Sequence, residues 1–166
     1  MGRMNFLARV AACSLALLAP LAAPQASLDF SNSVAGLAGR WAGSGRVVPA
    51  SGPSEDFRCV ATYFPSEDNS QVRQNLRCSS RTQKLDAVTH LHIRGDQITG
   101  RWTDNVYSLT GTVSGVVTKD GFVVMLSGQF FNARMTIAAS RCEQSVTVIP
   151  ARADLMREMA AVLRKC

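Results

Sequence analysis

The sequence has few of the residues from which catalytic and metal sites are built. Its 166 residues include only two histidines, and charged residues make up 18% of the chain. It contains no Gly-x-Ser-x-Gly nucleophile motif, no phosphate-binding glycine loop and no cysteine–histidine pair suited to nucleophilic catalysis. We therefore predict a protein that has no catalytic residues, is not an enzyme and carries no cofactor.

The two histidines are the only candidate metal ligands with a suggestive spacing. In the segment "HLH", His90 and His92 would point to the same face of a strand, and Asp86 would share that face. No cysteine or carboxylate motif with ligand spacing accompanies them. The pattern favours two solvated histidines, and we predict no metal site.

The chain also has no apolar run long enough for a membrane-spanning helix. Its longest such run, "VAACSLALLAPLAA", has 14 residues, whereas a spanning helix needs about 20. Arg3 and Arg9 precede the run, and small residues follow it, which is the order of a secretory signal. We assign residues 1–26 as a signal peptide cut after Ala26, which predicts a periplasmic or secreted protein. The alternative is a lipoprotein anchored through Cys13, since Val10-Ala11-Ala12-Cys13 resembles a lipobox.

Strong charge of either sign is absent as well. Without the signal segment the chain keeps 16 basic and 12 acidic residues, a net charge of +4, and it has no long basic run. That argues against nucleic acid as a partner. Four arginines on neighbouring predicted strands could form a basic patch for lipopolysaccharide phosphates or an acidic partner: Arg46, Arg58, Arg73 and Arg77. The same arginines also suit an ordinary solubilising surface, because acidic residues lie nearby in the sequence.

Between residues 40 and 150, short alternating runs separated by turn residues predict strands rather than helices. The predicted strands are 40–48, 55–64, 70–80, 85–94, 97–103, 106–115, 121–128, 131–139 and 143–149. Links this short join antiparallel neighbours. The pattern predicts an all-β fold, an antiparallel up-and-down β-barrel of about 8–9 strands, preceded by an N-terminal arm at 27–39.

Four cysteines remain after the signal, and an even number in an exported chain suggests two disulfides. If the turn between the second and third strands is centred on Asp68-Asn69, Cys59 faces Cys78 directly. Directly opposed residues are close enough for a disulfide. We predict the pair Cys59–Cys78, which leaves Cys142 and Cys166 as the second pair.

The C-terminal segment 151–166 shows a helical pattern. Leu155, Met159, Val162 and Cys166 recur at helical spacing, and Pro150 suits a helix start. We predict a C-terminal α-helix packed on the barrel and pinned there by the second disulfide.

Strand alternation also predicts which aromatic side chains point inward. Trp41 and Trp102 each share a face with glycines, which allow barrel strands to coil tightly. Together with Tyr63 and Tyr107 they would line the interior. Alternation alone allows either a filled core or a cavity beside these rings.

Two short segments resemble known barrel families. "LAGRWAGSG", with Gly39 and Trp41, resembles the Gly-x-Trp opening of lipocalins, in which an arginine packs over the tryptophan; that arginine has no assignable counterpart here. "ITGRWTD" is similar to strands of avidin-like barrels. Leu37-Ala38-Gly39-Arg40-Trp41 also resembles the opening of bacterial metalloprotease inhibitors, whose N-terminal arm enters the protease cleft. The run "FRCVATYF…QNLRCSS" looks like small exported proteins of proteobacteria. The resemblance implies a calycin-type barrel that has an internal ligand site or acts through its arm.

Two functions follow from these observations. The first is a non-catalytic exported barrel that binds a small apolar molecule in its interior. The second is an envelope-associated or inhibitor-type protein that has a filled core and meets a partner protein through its surface or N-terminal arm. The state of the interior distinguishes them.

Overall fold

A computed structural model describes residues 30–166 except Leu155. The predicted signal peptide, its cut site and Cys13 lie outside these residues. One short helix, α1 (Phe30–Leu37), precedes ten strands. The strands are β1 (Gly39–Pro49), β2 (Glu55–Pro65), β3 (Gln71–Ser79), β4 (Lys84–Arg94), β5 (Gln97–Asp104), β6 (Leu109–Thr118), β7 (Gly121–Gly128), β8 (Asn132–Ala139), β9 (Glu143–Pro150) and β10 (Met156–Arg164).

The strands form one closed antiparallel barrel in which each pairs with its sequence neighbours and β10 pairs with β1. The predicted all-β up-and-down barrel is confirmed, but it has ten strands instead of 8–9. Strand β6 begins three residues later than predicted, because residues 105–108 form a turn in which Ser108 has φ of 54°. No helix of the described residues is long and apolar enough to cross a membrane.

The register of the β2–β3 hairpin is the predicted one. Cys59 lies opposite Cys78, Ala61 opposite Leu76 and Tyr63 opposite Gln74. The disulfide Cys59–Cys78 is present. Local chemistry sets this register: Asn69 adopts φ of 57° in the turn, a conformation that asparagine tolerates better than most residues.

The predicted C-terminal helix is wrong: the segment forms strand β10. Without it, β1 and β9 would both be edges with unpaired backbone N–H and C=O groups. β10 pairs with both strands and closes the barrel. The proposed helical stripe is split, because Met159 is half-buried and Val162 is exposed on the opposite face, while Leu155 is outside the described residues.

The second predicted disulfide, Cys142–Cys166, is present, although it does not pin a helix. It joins the turn before β9 to the residue two positions after the end of β10. The backbone N–H of Lys165 also donates to the carbonyl of Cys142. The bond therefore fastens the closing strand to its neighbour.

The polypeptide entering β1 covers one end of the barrel. Part of the predicted N-terminal arm, residues 30–37, forms helix α1, and its Val34 and Leu37 are buried in the core cluster. Since the strands alternate in direction, the turns after β1, β3, β5, β7 and β9 all lie at the opposite end. We call these the helix end and the loop end.

Candidate functional site

The helix end of the interior is sealed around Trp41. Its side chain is fully buried, and its indole N–H donates a hydrogen bond of 2.7 Å to the carbonyl of Leu37 in α1. The ammonium of Lys165 lies 4.9 Å from the centroid of the Trp41 ring. The cation over the face of this tryptophan thus comes from the C-terminal end of the chain.

A buried polar chain crosses the interior near this end. The hydroxyl of Tyr63 donates to Gln144 Oε1 at 3.1 Å and accepts from Gln74 Nε2 at 3.0 Å. Burial raises the pKa of Tyr63, against the lowering effect of these two hydrogen bonds. Gln144 is fully buried, and its Nε2 has no hydrogen-bond partner among the described residues.

Exposure of the inward side chains changes along the barrel axis. At the helix end, Tyr63, Val72, Ile98 and Leu163 are buried. At the loop end most inward side chains are only half-buried: Val47, Leu85, Trp102, Leu109, Leu126, Met135 and Met159. Phe57, Cys59, Ala87, Asp104, Ala133 and Val148 are the buried exceptions there. The inward side chains are therefore more often fully buried at the helix end than at the loop end.

Trp102 lies in the solvent-accessible half, against glycines of the neighbouring strands. A Cβ placed on Gly111 would lie 2.5 Å from Trp102 Nε1, and one on Gly128 would lie 2.9 Å from Cζ2 of the same ring. The two glycines thus leave room for the ring to lie along the wall. The indole nitrogen is buried and has no hydrogen-bond partner among the described residues.

Of the four aromatic residues predicted to line the interior, Tyr107 does not face it. It lies in the turn between β5 and β6, with 52% of its surface exposed, and its hydroxyl donates to Gln83 Oε1. The later start of β6 explains the difference, since strand alternation no longer applies at this position. The structure places the other three inward: Trp41 and Tyr63 at the helix end, and Trp102 towards the loop end.

The four arginines of the predicted basic patch all point outward but have different surroundings. Arg46 bonds to Asp56 at 2.8 Å, which lowers the pKa of Asp56, and Arg77 lies 3.3 Å from Asp86. Arg73 lies apart, with its guanidinium 4.2 Å from the centroid of the Phe64 ring. Arg46 and Arg58 line an open groove on the outer wall.

His90 and His92 are both exposed on β4 and do not gather further ligands. Within the described ranges, no three His, Cys, Asp or Glu side chains lie together in an arrangement that could hold a metal ion.

Sequence reasoning missed Gln144 and Lys165. The signal for Gln144 was available, since alternation puts it on the same face as Val146 and Val148. No sequence signal pointed to Lys165, because its contact with Trp41 requires the barrel to close.

Comparison with known proteins supports the fold but does not show a family to which the chain belongs. No family model matches the chain, and no curated protein matches it. Among solved structures, the chain is similar to Rv2717c from M. tuberculosis, with a TM-score of 0.65 and 14% identity over 81% of this chain and 96% of that one. It is also similar to the S-type phycobiliprotein lyase CPES from Guillardia theta, with a TM-score of 0.54 and 12% identity over 79% of this chain and 88% of that one.

The second similarity corrects the prediction that the protein is not an enzyme. A structure with this fold is a phycobiliprotein lyase, so the architecture is compatible with enzymatic activity and the missing motifs do not exclude it. At these identities the likeness concerns the fold alone, a closed antiparallel β-barrel.

Proposed function

We propose that the protein binds a small, largely apolar molecule inside the barrel and that this molecule enters from the loop end. The observation that carries this proposal is the exposure gradient: most inward side chains are buried beneath α1, and most are half-buried towards the loops. Internal binding requires an open end of the barrel, whereas a filled barrel that acts through its surface does not. The gradient therefore favours internal binding over the alternative of a filled barrel that acts through its surface.

The dimensions of the barrel support the same proposal. Barrel diameter grows with strand number, and eight strands already enclose a small ligand in some families. This barrel has ten strands. Its inner wall also carries small residues between the large ones, among them Gly100, Gly111, Gly128, Ala87 and Ala161. A ten-stranded barrel lined in this way suits a small ligand between the large side chains.

The wall around Trp102 suggests the chemistry of the ligand. Leu76, Leu126, Met135 and Met159 are, like Trp102, partly buried against the core cluster and supply apolar surface. The indole N–H of Trp102 is a buried donor without a partner in the described part of the chain. Buried donors are normally hydrogen-bonded. A ligand with an apolar body and one hydrogen-bond acceptor would satisfy both.

The two disulfides support an extracytoplasmic location as part of this proposal. Structural disulfides persist in oxidising compartments such as the periplasm or the extracellular space. The protein would then meet its ligand in the periplasm or outside the cell.

The test is a titration with 1-anilinonaphthalene-8-sulfonate, an apolar fluorophore with an acceptor group, on the folded, oxidised protein. We expect saturable binding that quenches Trp102 fluorescence. Trp102→Phe removes the donor and keeps a ring, and should weaken binding about 2- to 10-fold, the range for one net hydrogen bond. Met135→Trp should block the interior.

The matched control is Tyr107→Phe, which alters an aromatic residue outside the barrel and should bind the probe like the parent. Circular dichroism and thermal unfolding verify that each variant is folded. If a folded Met135→Trp variant binds the probe as tightly as the parent protein, the interior is not the site. Native mass spectrometry of protein from its own host then identifies any retained molecule.

A further inference from the structure

The open groove on the outer wall is separate from the barrel interior. It has a volume of about 920 Å³ and is formed by three-residue segments of β1, β2, β9 and β10, together with residues 79–81 at the end of β3. In each strand segment the middle residue points inward and contributes backbone, while its two neighbours point outward into the groove.

Strand register explains why a groove forms here. Two adjacent cross-strand rows supply the outward side chains. One row runs Ser145, Val162, Ser44, Arg58 and Ser79, each opposite the next. The second runs Thr147, Ala160, Arg46 and Asp56. Over β9 and β10 the rows consist of small side chains, and over β1 and β2 they include the charged side chains Arg46, Arg58 and Asp56. The floor of the groove, over β9 and β10, is therefore shallow and largely neutral, and the wall formed by the arginines is cationic.

The charge of that wall is not balanced. The groove is lined by three arginines, Arg46, Arg58 and Arg81, and by one carboxylate, Asp56. Asp56 is already bonded to Arg46. In the described part of the chain, neither Arg58 nor Arg81 forms an ion pair. Two guanidinium groups thus face the same groove without an acidic partner.

We propose that this groove binds a saccharide carrying a phosphate or sulfate ester. Guanidinium groups recognise planar or tetrahedral oxyanions through paired, charge-assisted hydrogen bonds. The hydroxyls of Ser44, Ser79 and Thr147 along the floor suit a ligand that carries several hydroxyl groups. The oxyanion lies between Arg58 and Arg81, and the sugar extends over β1 and β10 towards β9.

The test is isothermal titration calorimetry of the oxidised protein with glucose 6-phosphate and glucose 6-sulfate. Inorganic phosphate and glucose serve as partial ligands. We expect the esters to bind more tightly than either partial ligand, and binding to weaken as ionic strength rises. Preference for one ester identifies which oxyanion the groove accepts.

The double variant Arg58→Gln/Arg81→Gln should weaken ester binding by about tenfold or more, since charge-assisted hydrogen bonds are lost. The matched control is Arg94→Gln/Arg101→Gln, which removes the same charge from exposed positions outside the groove. An equal loss in the control would show that binding follows net charge and not this site. Absence of binding to every ester would also overturn the proposal.

Discussion

Lys165 lies over Trp41 and connects the end of the chain to its beginning. The ammonium is 4.9 Å from the ring centroid and donates hydrogen bonds to the carbonyls of Gly36, at 2.8 Å, and Ala38, at 3.3 Å. Lys165, the residue after β10, thus fixes the position of the segment that covers the helix end. The side chain of Lys165 therefore connects the closing strand β10 with the segment that covers the helix end of the interior.

Replacing Lys165 should therefore loosen the helix end. We expect Lys165→Gln to lower the free energy of unfolding by about 1 kcal/mol, since a cation–π contact at an exposed site contributes about 0.5–1 kcal/mol and the bonds to α1 weaken with it. Chemical denaturation measures the change, and Trp41 fluorescence should shift to the red. Lys84→Gln, at an exposed position at the loop end, is the control and should unfold like the parent.

The disulfide Cys142–Cys166 should matter most for the closing strand. It closes a loop of sequence separation 24, and its removal by Cys142→Ser/Cys166→Ser should cost about 3 kcal/mol in the chain-entropy description. Hydrogen exchange should rise in β10 and in the facing backbone of β1. Cys59→Ser/Cys78→Ser is the comparison, with faster exchange confined to β2 and β3. Unchanged protection of β10 in the first variant would contradict the role assigned to this bond.

Gly111 is predicted to be intolerant of even a methyl group. A Cβ there would meet Ser127 O and would lie 2.5 Å from Trp102 Nε1. We expect Gly111→Ala to destabilise the fold by about 1–3 kcal/mol, the usual cost of overpacking. The control is Gly36→Ala in α1, where no atom lies within 4 Å of the added group. That variant should be neutral or gain up to about 1 kcal/mol from helix propensity. Equal melting temperatures for the two variants would refute the packing described for Trp102.

The β2–β3 turn should respond to acid through Asp68. Hydrogen bonds from the hydroxyls of Ser66 and Ser70 lower the pKa of Asp68 from 3.8 to about 2. Because the folded pKa is below the unfolded one, the ionised carboxylate stabilises the turn above the unfolded value, and this stabilisation is lost as pH falls through the folded value.

Asp68→Asn should therefore reduce the loss of stability between about pH 4 and pH 2. Urea unfolding of both proteins at several pH values in this interval measures it. Glu55 and Asp56 also have lowered pKa values. Both proteins must keep these two residues, so that their contribution to the pH dependence is the same in each. Identical pH profiles would show that the turn does not hold the carboxylate as described.

Much of the barrel wall could be predicted because its information is local. Alternation over a few residues placed Trp41 and Tyr63 inside and His90 outside, and the turn at Asp68-Asn69 fixed the pairing of Cys59 with Cys78. The site was less accessible to sequence reasoning. Trp102 was predicted to face inward, but its contact with Gly111 and Gly128 depends on the curvature of three strands. The position of Tyr107 was predicted wrongly because it lies in a turn, where side chains do not alternate between two faces as they do in a strand.

The sequence by itself determined nine strands, their antiparallel order and both disulfide pairs, because period-two alternation and cysteine spacing act over short distances. Tertiary structure alone decided the state of residues 156–164. This segment, "MREMAAVLR", is rich in helix formers, and an isolated peptide would favour a helix. In the barrel it becomes β10, because hydrogen bonds to both β1 and β9 remove two open edges, a gain larger than the differences in intrinsic propensity. That closure brings Lys165 over Trp41 and places β10 beside β1 and β9 in the outer groove.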